Sequence, residues 1–280
     1  MLRHDAHDHP GSSTVNGSEL ALPLFEGLVL LALLAAAAAY AVALWASRNR
    51  SPWPHWRTAA WLAGLVAAAM SLLGPLADAA HVSFTAHMVG HLLLGMLAPL
   101  LLVLGAPVTL LLRALTVENA RSLTRLLGHP VIRLVAHPVV AAALNIGGLW
   151  VLYTTPLFGL MHESPLAHAA VHAHVILTGC LFTEAMVGTA PNPHRASITV
   201  RSAVLIAFIA LHSILAKWLW AHPPAGVDVV DARTGAQVMY YGGDAIDVVL
   251  IVLLLGGWYR ATRDRDRSAT TAIRARWRHV

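Results

Sequence analysis

The chain has 280 residues, of which 57% are hydrophobic and only 12% are charged, and its formal net charge is +5 at pH 7. Soluble globular domains carry about 25% charged residues, so this composition excludes an ordinary soluble protein and indicates a membrane protein. The single cysteine, Cys180, excludes an internal disulfide and any paired-cysteine metal or redox site.

Seven apolar segments follow one another along the chain, each long enough to cross a bilayer as a helix. Backbone polar groups inside a bilayer must bond within their own segment, so we expect an all-α, polytopic bundle of seven transmembrane helices. The third segment should kink or end at Pro99 and Pro107. The predicted spans are 22–46, 58–77, 85–104, 136–153, 166–187, 199–220 and 240–259.

Basic residues alternate between the connections and predict the orientation of the bundle. Arginines are abundant after spans one, three, five and seven, whereas the other side has only Arg3 and Arg233. Positive charge stays cytoplasmic, which predicts an N-terminus outside and a C-terminus inside. The cytoplasmic arginines are Arg48, Arg50, Arg57, Arg113, Arg121, Arg125, Arg133, Arg195, Arg201, Arg260, Arg263, Arg265, Arg267, Arg274, Arg276 and Arg278.

This topology divides the chain into three regions. Residues 1–21 form an extracytoplasmic tail, predicted to be disordered, that carries His4, His7 and His9. Residues 22–262 form the membrane domain, and residues 263–280 form a basic cytoplasmic tail. Because the basic residues have this topological explanation, we predict a lipid bilayer as the surrounding partner and no nucleic-acid surface.

The histidines are the candidate functional residues, because several of the 17 fall in the outer halves of the predicted spans. His87 and His91 are four residues apart on span three, so they share one helix face, as do His168 and His172 on span five. A rise of about 1.5 Å per residue places His91, His172 and His212 roughly 10 Å deep on three different helices. The spacing therefore brings imidazoles from three helices to one level.

Three further positions, on spans three, five and seven, are weaker candidates. His174 lies about 200° round the helix from His172, so it cannot face the same way, and periodicity favours His172 as the inward residue. Met88 offers a thioether next to His87. Asp244, with Asp247 on the same face of span seven, could attract a cation, but an ion pair with Lys217 is the preferred interpretation.

Several imidazoles in an apolar bundle suit a transition metal, and nearby thioethers favour Cu(I). The candidate ligands are His87, His91, His172, His174, His212, Met88, His168 and Asp244. Two other interpretations stay open for the set: proton or ion traffic, and hydrogen-bonded packing residues.

Four blocks of the sequence carry a resemblance to a known family. HMVGHLLLGMLAPLLLVLGAP, VHAHVILTGCLF, GTAPNPHR with the later His212, and GGD occur in this order from His87 to Asp244. In these blocks the chain resembles the CtaG-type cytochrome c oxidase assembly factors, a bacterial family with seven spans. It departs from the family at LYTTPLFGLMHES, where a Trp-His pair is expected, and at Gly235-Ala236, where two glycines are usual.

The resemblance implies a non-enzymatic assembly factor of the bacterial plasma membrane, whose partners are subunits of cytochrome c oxidase. We expect copper as its cofactor, held by the outer histidines and passed to the oxidase. Two alternatives remain: a membrane redox protein that holds haem between paired histidines, and a scaffold for an oxidase subunit that binds no cofactor.

Overall fold

A computed structural model describes the backbone of residues 17–188 and 195–277, and the side chains of residues 23–188 and 195–263. All regular structure in these ranges is helical, as predicted. His4, His7 and His9 of the predicted tail lie outside the described residues, and α1 begins at Gly17 within that tail. The helices are α1 Gly17–Ala46, α2 His55–Leu72, α3 Pro75–Ala80, α4 Phe84–Leu92, a π-helical segment Leu93–Leu97, α5 Ala98–Leu104, α6 Pro107–Ala114, α7 Val117–Leu127, α8 Pro130–Val135, α9 Pro138–Thr154, α10 Leu157–Glu163, α11 Pro165–Val187, α12 Ile198–Ala221 and α13 Val229–Trp277.

The helices that can cross a membrane are fewer than the seven predicted spans. Five stretches of the described chain are long and apolar enough, and a sixth is formed if α9 and α10, which meet at 79°, make one broken span. Predicted span two corresponds to α2, which ends at Leu72, because Gly74 has φ 75° and Pro75 opens the separate helix α3. The chain is therefore a multi-pass membrane protein with five to six candidate crossings, and the seventh stays a prediction.

Predicted span three is continuous from Phe84 to Leu104 but is not a uniform α-helix. Pro99 has no N–H to bond the carbonyl four residues earlier, and the π-helical turn at Leu93–Leu97 accommodates it. The helix ends before Ala106, which has φ 50°, and Pro107 starts α6. The structure thus places the predicted break at Pro107 and a widened turn, rather than an end, beside Pro99.

Helix α13 packs along α4 and α12 in the centre of the bundle. Gly235 approaches Phe84 and Gly242 approaches Leu92, so two small residues let α13 lie close to α4. Asp231 fixes the start of this contact, because its carboxylate accepts hydrogen bonds from the backbone N–H of Phe84 at 2.6 Å and of Thr85 at 3.1 Å. This carboxylate satisfies free donors at the α4 N-terminus and aligns α4 with α13.

The two ends of the bundle differ in their polar residues. We call the end formed by α3, α10 and the first turns of α4 and α11 the histidine end, because His81, His162 and His168 lie there. The opposite end, formed by α6, α7 and α8 with Arg113 and Arg133, is the arginine end. The candidate site lies between the histidine end and the middle of the bundle.

Candidate metal site

The histidine end carries a group of four imidazoles, which we call the surface cluster: His81, His162, His168 and His172. The rings of His168 and His172 have centroids 4.2 Å apart, which confirms the shared face predicted from their spacing. The ring of His81 lies 5.5 Å from that of His168 and 6.3 Å from that of His162. Three helical elements therefore bring these rings to one cavity of about 30 Å³, into which Glu26 and Asp78 also project.

A second cavity of about 30 Å³ lies next to the first and shares His87, His172 and Met161 with it. The Nε2 atom of His87 lies 3.0 Å from the hydroxyl oxygen of Tyr153 on α9. That hydroxyl also lies 3.9 Å from the Met88 sulfur. His87 is thus held by a hydrogen bond to a buried tyrosine between the surface cluster and the interior.

A third and smaller cavity, of about 10 Å³, continues into the bundle and shares His91 and Val175 with the second. A space of this size holds about one water molecule or ion. It is lined by His91, Met96, Asn145, Thr178 and His212, among other residues. The ring centroids of His91 and His212 are 6.1 Å apart, so α4 and α12 bring two imidazoles together, and we call them the deep pair.

Both rings of the deep pair are buried, with exposed fractions of 8% for His91 and 1% for His212. The Nε2 atom of each ring is buried and has no hydrogen-bond partner among the described residues. Buried polar atoms in native proteins are nearly all hydrogen-bonded, so two such atoms beside one cavity are an unusual feature.

Two glycines, which have no side chain, leave room for the rings of the deep pair. A Cβ added at Gly243 on α13 would lie 2.5 Å from the Cε1 atom of His212, closer than any side chain tolerates. A Cβ added at Gly95 in the π-helical segment would lie 3.3 Å from the Cε1 atom of His91. The His212 ring therefore packs on a backbone position that only glycine leaves open, whereas a side chain at Gly95 would require a shift of the neighbouring groups.

The structure places five of the predicted ligands along this series of cavities: His87, His91, His168, His172 and His212. Met88 is fully buried and contacts Tyr153. Whether any of them binds a metal stays a prediction.

His174 and Asp244 do not line the three cavities. His174 faces α9, where its Nε2 atom lies 3.1 Å from the carbonyl oxygen of Leu144. Asp244 is half-buried, and Lys217, its expected ion-pair partner, has its Nζ atom 5.2 Å from the Tyr240 ring centroid. Asp247 is 2% exposed, and its carboxylate oxygens have no hydrogen-bond partner in the described part of the chain.

Sequence reasoning gave no site role to His81, His162 and Tyr153, which the structure places at the cavities. Tyr153 ends a predicted span and His162 follows it in a loop, so nothing in their spacing indicated contact with α4. Across the described residues, no three His, Cys, Asp or Glu side chains are placed to hold one metal ion together. The site therefore offers imidazoles in pairs rather than a preformed cage.

The model of one protein family matches residues 38–261, a range that contains all of the histidines that line the three cavities. That family is described as cytochrome c oxidase caa3 assembly factor. The chain belongs to this CtaG family. The match covers most of the chain, and so confirms the resemblance carried by the sequence blocks.

Curated relatives come from mycobacteria and are longer than this chain. An uncharacterized protein of Mycobacterium leprae is 28% identical over 240 residues, which are 76% of this chain and 36% of that protein. Uncharacterized proteins of Mycobacterium bovis and Mycobacterium tuberculosis are each 34% identical over 261 residues, 85% of this chain and 40% of theirs. The CtaG-family chain thus spans less than half the length of these relatives. No solved structure matches it.

Proposed function

We propose that this CtaG-family protein takes up copper at its histidine end, holds it on buried imidazoles, and hands it to a subunit of cytochrome c oxidase during assembly. The observation that carries the proposal is the series of three adjoining cavities, which share histidine walls from the bundle end to the deep pair. Imidazole and thioether are ligands that copper prefers, and both line the path. In this role the protein binds and releases an ion and has no catalytic turnover.

The orientation follows from the distribution of charge. The arginine end carries Arg113, Arg125 and Arg133, and positive charge marks the cytoplasmic side of a bacterial plasma membrane. The histidine end then opens to the extracytoplasmic side, with the N-terminus outside and seven crossings in all. Copper would enter the surface cluster from that side.

The dimensions of the cavities favour a bare ion over haem. Cavities of about 30, 30 and 10 Å³ leave no space for a porphyrin between the paired histidines. The haem-binding alternative would need the helices that carry His91 and His212 to separate widely.

A deletion strain tests the proposed function. Oxidase purified from cells that lack the protein should contain haem but too little copper, and the gene should restore the copper content. A gene with His91→Ala and His212→Ala together should not restore it, whereas His222→Ala, which removes an exposed histidine bonded only to its own helix at Trp218, should. Full copper content in the deletion strain would overturn the proposal, and full rescue by the double variant would favour the cofactor-free scaffold.

A further inference from the structure

We infer that the deep pair, with the nearby Met96 thioether, is a site of two or three ligands for a single monovalent, soft cation, Cu(I) in the cell, and that the surface cluster serves for exchange rather than retention. The inference rests on the proposed copper role and assigns to it an oxidation state, a ligand number and a position.

The first argument is that each ring of the deep pair has a buried nitrogen without a hydrogen-bond partner among the described residues. A neutral imidazole has one N–H donor and one bare acceptor nitrogen. The Nε2 atoms of His91 and His212 are both buried without a partner among the described residues, and both residues line the same cavity. A bound cation would satisfy both at once, because imidazole nitrogen is a metal ligand.

The second argument is the separation of the two rings. An imidazole nitrogen lies roughly 2 Å from a bound metal ion, and the ring centroid lies roughly 1 Å further back. Two rings that share one ion therefore have centroids at most about 6 Å apart, when the ion lies between them. The observed 6.1 Å between the ring centroids of His91 and His212, whose planes are inclined by 22°, is at this limit, so the separation leaves room for one ion and no more.

The third argument is the number of ligands. Zn²⁺ takes four ligands in a tetrahedron, and Cu²⁺ takes a tetragonal set. The deep pair supplies two imidazoles, and the Met96 side chain, which lines the same cavity, adds one thioether. Cu(I) is stable with two or three such soft ligands, so the site suits Cu(I) and its chemical analogue Ag(I).

The fourth argument is charge. The cost of transferring an ion into a medium of low dielectric constant rises with the square of its charge, so a monovalent ion is far cheaper to bury than a divalent one. No carboxylate lines the deep cavity. By contrast, Glu26 and Asp78 line the cavity of the surface cluster, where solvent is close. The deep cavity and the cavity of the surface cluster therefore differ in the charge of the cation that they can bind.

Titration of the purified full chain in detergent tests the inference. Under anaerobic conditions the wild-type protein should retain one Cu(I) per chain against a chelator, and likewise one Ag(I), but no Zn²⁺. X-ray absorption should report two nitrogen donors, with at most one sulfur. Retention of Zn²⁺ as firmly as Cu(I), or a four-coordinate copper, would overturn the inference.

Variants locate the ion. His91→Ala and His212→Ala should each lose the chelator-resistant ion, whereas His168→Ala should slow loading and keep the ion. His91→Met, which replaces imidazole by thioether, should keep the ion and add a sulfur donor, which excludes misfolding as the cause of the losses. His174→Ala is the matched control, because that ring bonds the Leu144 carbonyl on α9 instead, and it should bind as wild type.

The two proposals fail separately. If the purified chain binds Cu(I) at the deep pair while the deletion strain makes copper-replete oxidase, the inference stands and the proposed function fails. If oxidase depends on the protein but His91→Ala and His212→Ala bind Cu(I) as wild type does, the inference fails and the proposed function stands.

Discussion

Histidines at the two ends of this bundle have different surroundings. At the arginine end, His129 and His137 each precede a helix, and the Nδ1 atom of each accepts the backbone N–H of the residue two positions on. At the histidine end and below it, imidazoles meet imidazoles from other helices, and the deep pair leaves two nitrogens unbonded. His162 and His172 of the surface cluster also bond a carbonyl one turn earlier, through Nδ1. The comparison therefore shows that two buried, unbonded nitrogens distinguish the deep pair from the other described histidines.

The largest effect on Cu(I) retention is expected from a substitution that fills the space beside the His212 ring. Gly243→Ala should abolish Cu(I) retention, because the new Cβ would lie 2.5 Å from the His212 ring, and should lower the free energy of unfolding by about 1–3 kcal/mol. Chelator competition and thermal unfolding in detergent measure both effects.

The matched control is the same substitution on the same helix at Gly256, where an added Cβ meets nothing within 4 Å. Gly256→Ala should leave copper retention unchanged and raise the free energy of unfolding slightly, by about 0.5–1 kcal/mol, because alanine has the higher helix propensity. Equal behaviour of the two variants would show that the position of the His212 ring does not depend on Gly243.

A smaller effect on stability is expected at the histidine end, where the Asp231 carboxylate joins the start of α13 to the start of α4. Asp231→Asn weakens the acceptor of the Phe84 and Thr85 N–H groups and should lower the stability by about 1 kcal/mol, since the carboxylate is partly solvated. Hydrogen exchange at the start of α4 should rise, with the arginine end unaffected. Uniform exchange throughout the bundle would contradict a local role.

Tyr153→Phe separates loading from retention. It removes the hydroxyl that bonds His87 and preserves the buried ring, at a cost of about 1 kcal/mol. Stopped-flow loading of Cu(I) should become slower, because His87 is no longer fixed between the two outer cavities, while the amount retained at equilibrium stays the same. A changed stoichiometry would place Tyr153 in the retention site itself.

The smallest effect is expected at the arginine end. His129→Ala and His137→Ala each remove one long contact of 3.4 Å at a helix start, which contributes a few tenths of a kcal/mol, roughly. Copper retention should be that of the wild type. Loss of copper in either variant would contradict the assignment of copper binding to the histidine end and the deep pair.

Much of the fold could be predicted, because hydrophobic length and proline position determine it locally. Helix α11 runs from Pro165 to Val187, within one residue of its predicted span, since proline opens it and Gly188 with φ 56° follows it. The π-helical turn could not be predicted, because it depends on how the bundle accommodates Pro99. The alternation of basic connections predicts seven crossings, whereas five to six helices of the described chain are long and apolar enough, because α2 ends at Leu72 and α9 meets α10 at 79°.

The candidate site was predictable only within each helix. Spacing correctly paired His168 with His172. Depth predicted one level for His91, His172 and His212, and the 6.1 Å separation of the His91 and His212 rings bears this out for those two, whereas His172 lines the two outer cavities. Contacts between helices do not follow from one sequence, so the meeting of His87 with Tyr153 and of His81 with His168 was missed. For the same reason His174 was included with the ligands although its ring faces Leu144.

The π-helical turn at Leu93–Leu97 has a consequence for how this site can evolve. An α-helix turns about 100° per residue, so loss of a single residue from this turn would rotate everything before it by that angle relative to Pro99. His91 would then point away from His212 although every side chain of the deep pair was still present. The number of residues in this turn, rather than their identity, thus keeps the His91 ring facing the His212 ring. Homologues in which this turn is one residue shorter should lose the contact between the two rings even where both histidines are still present.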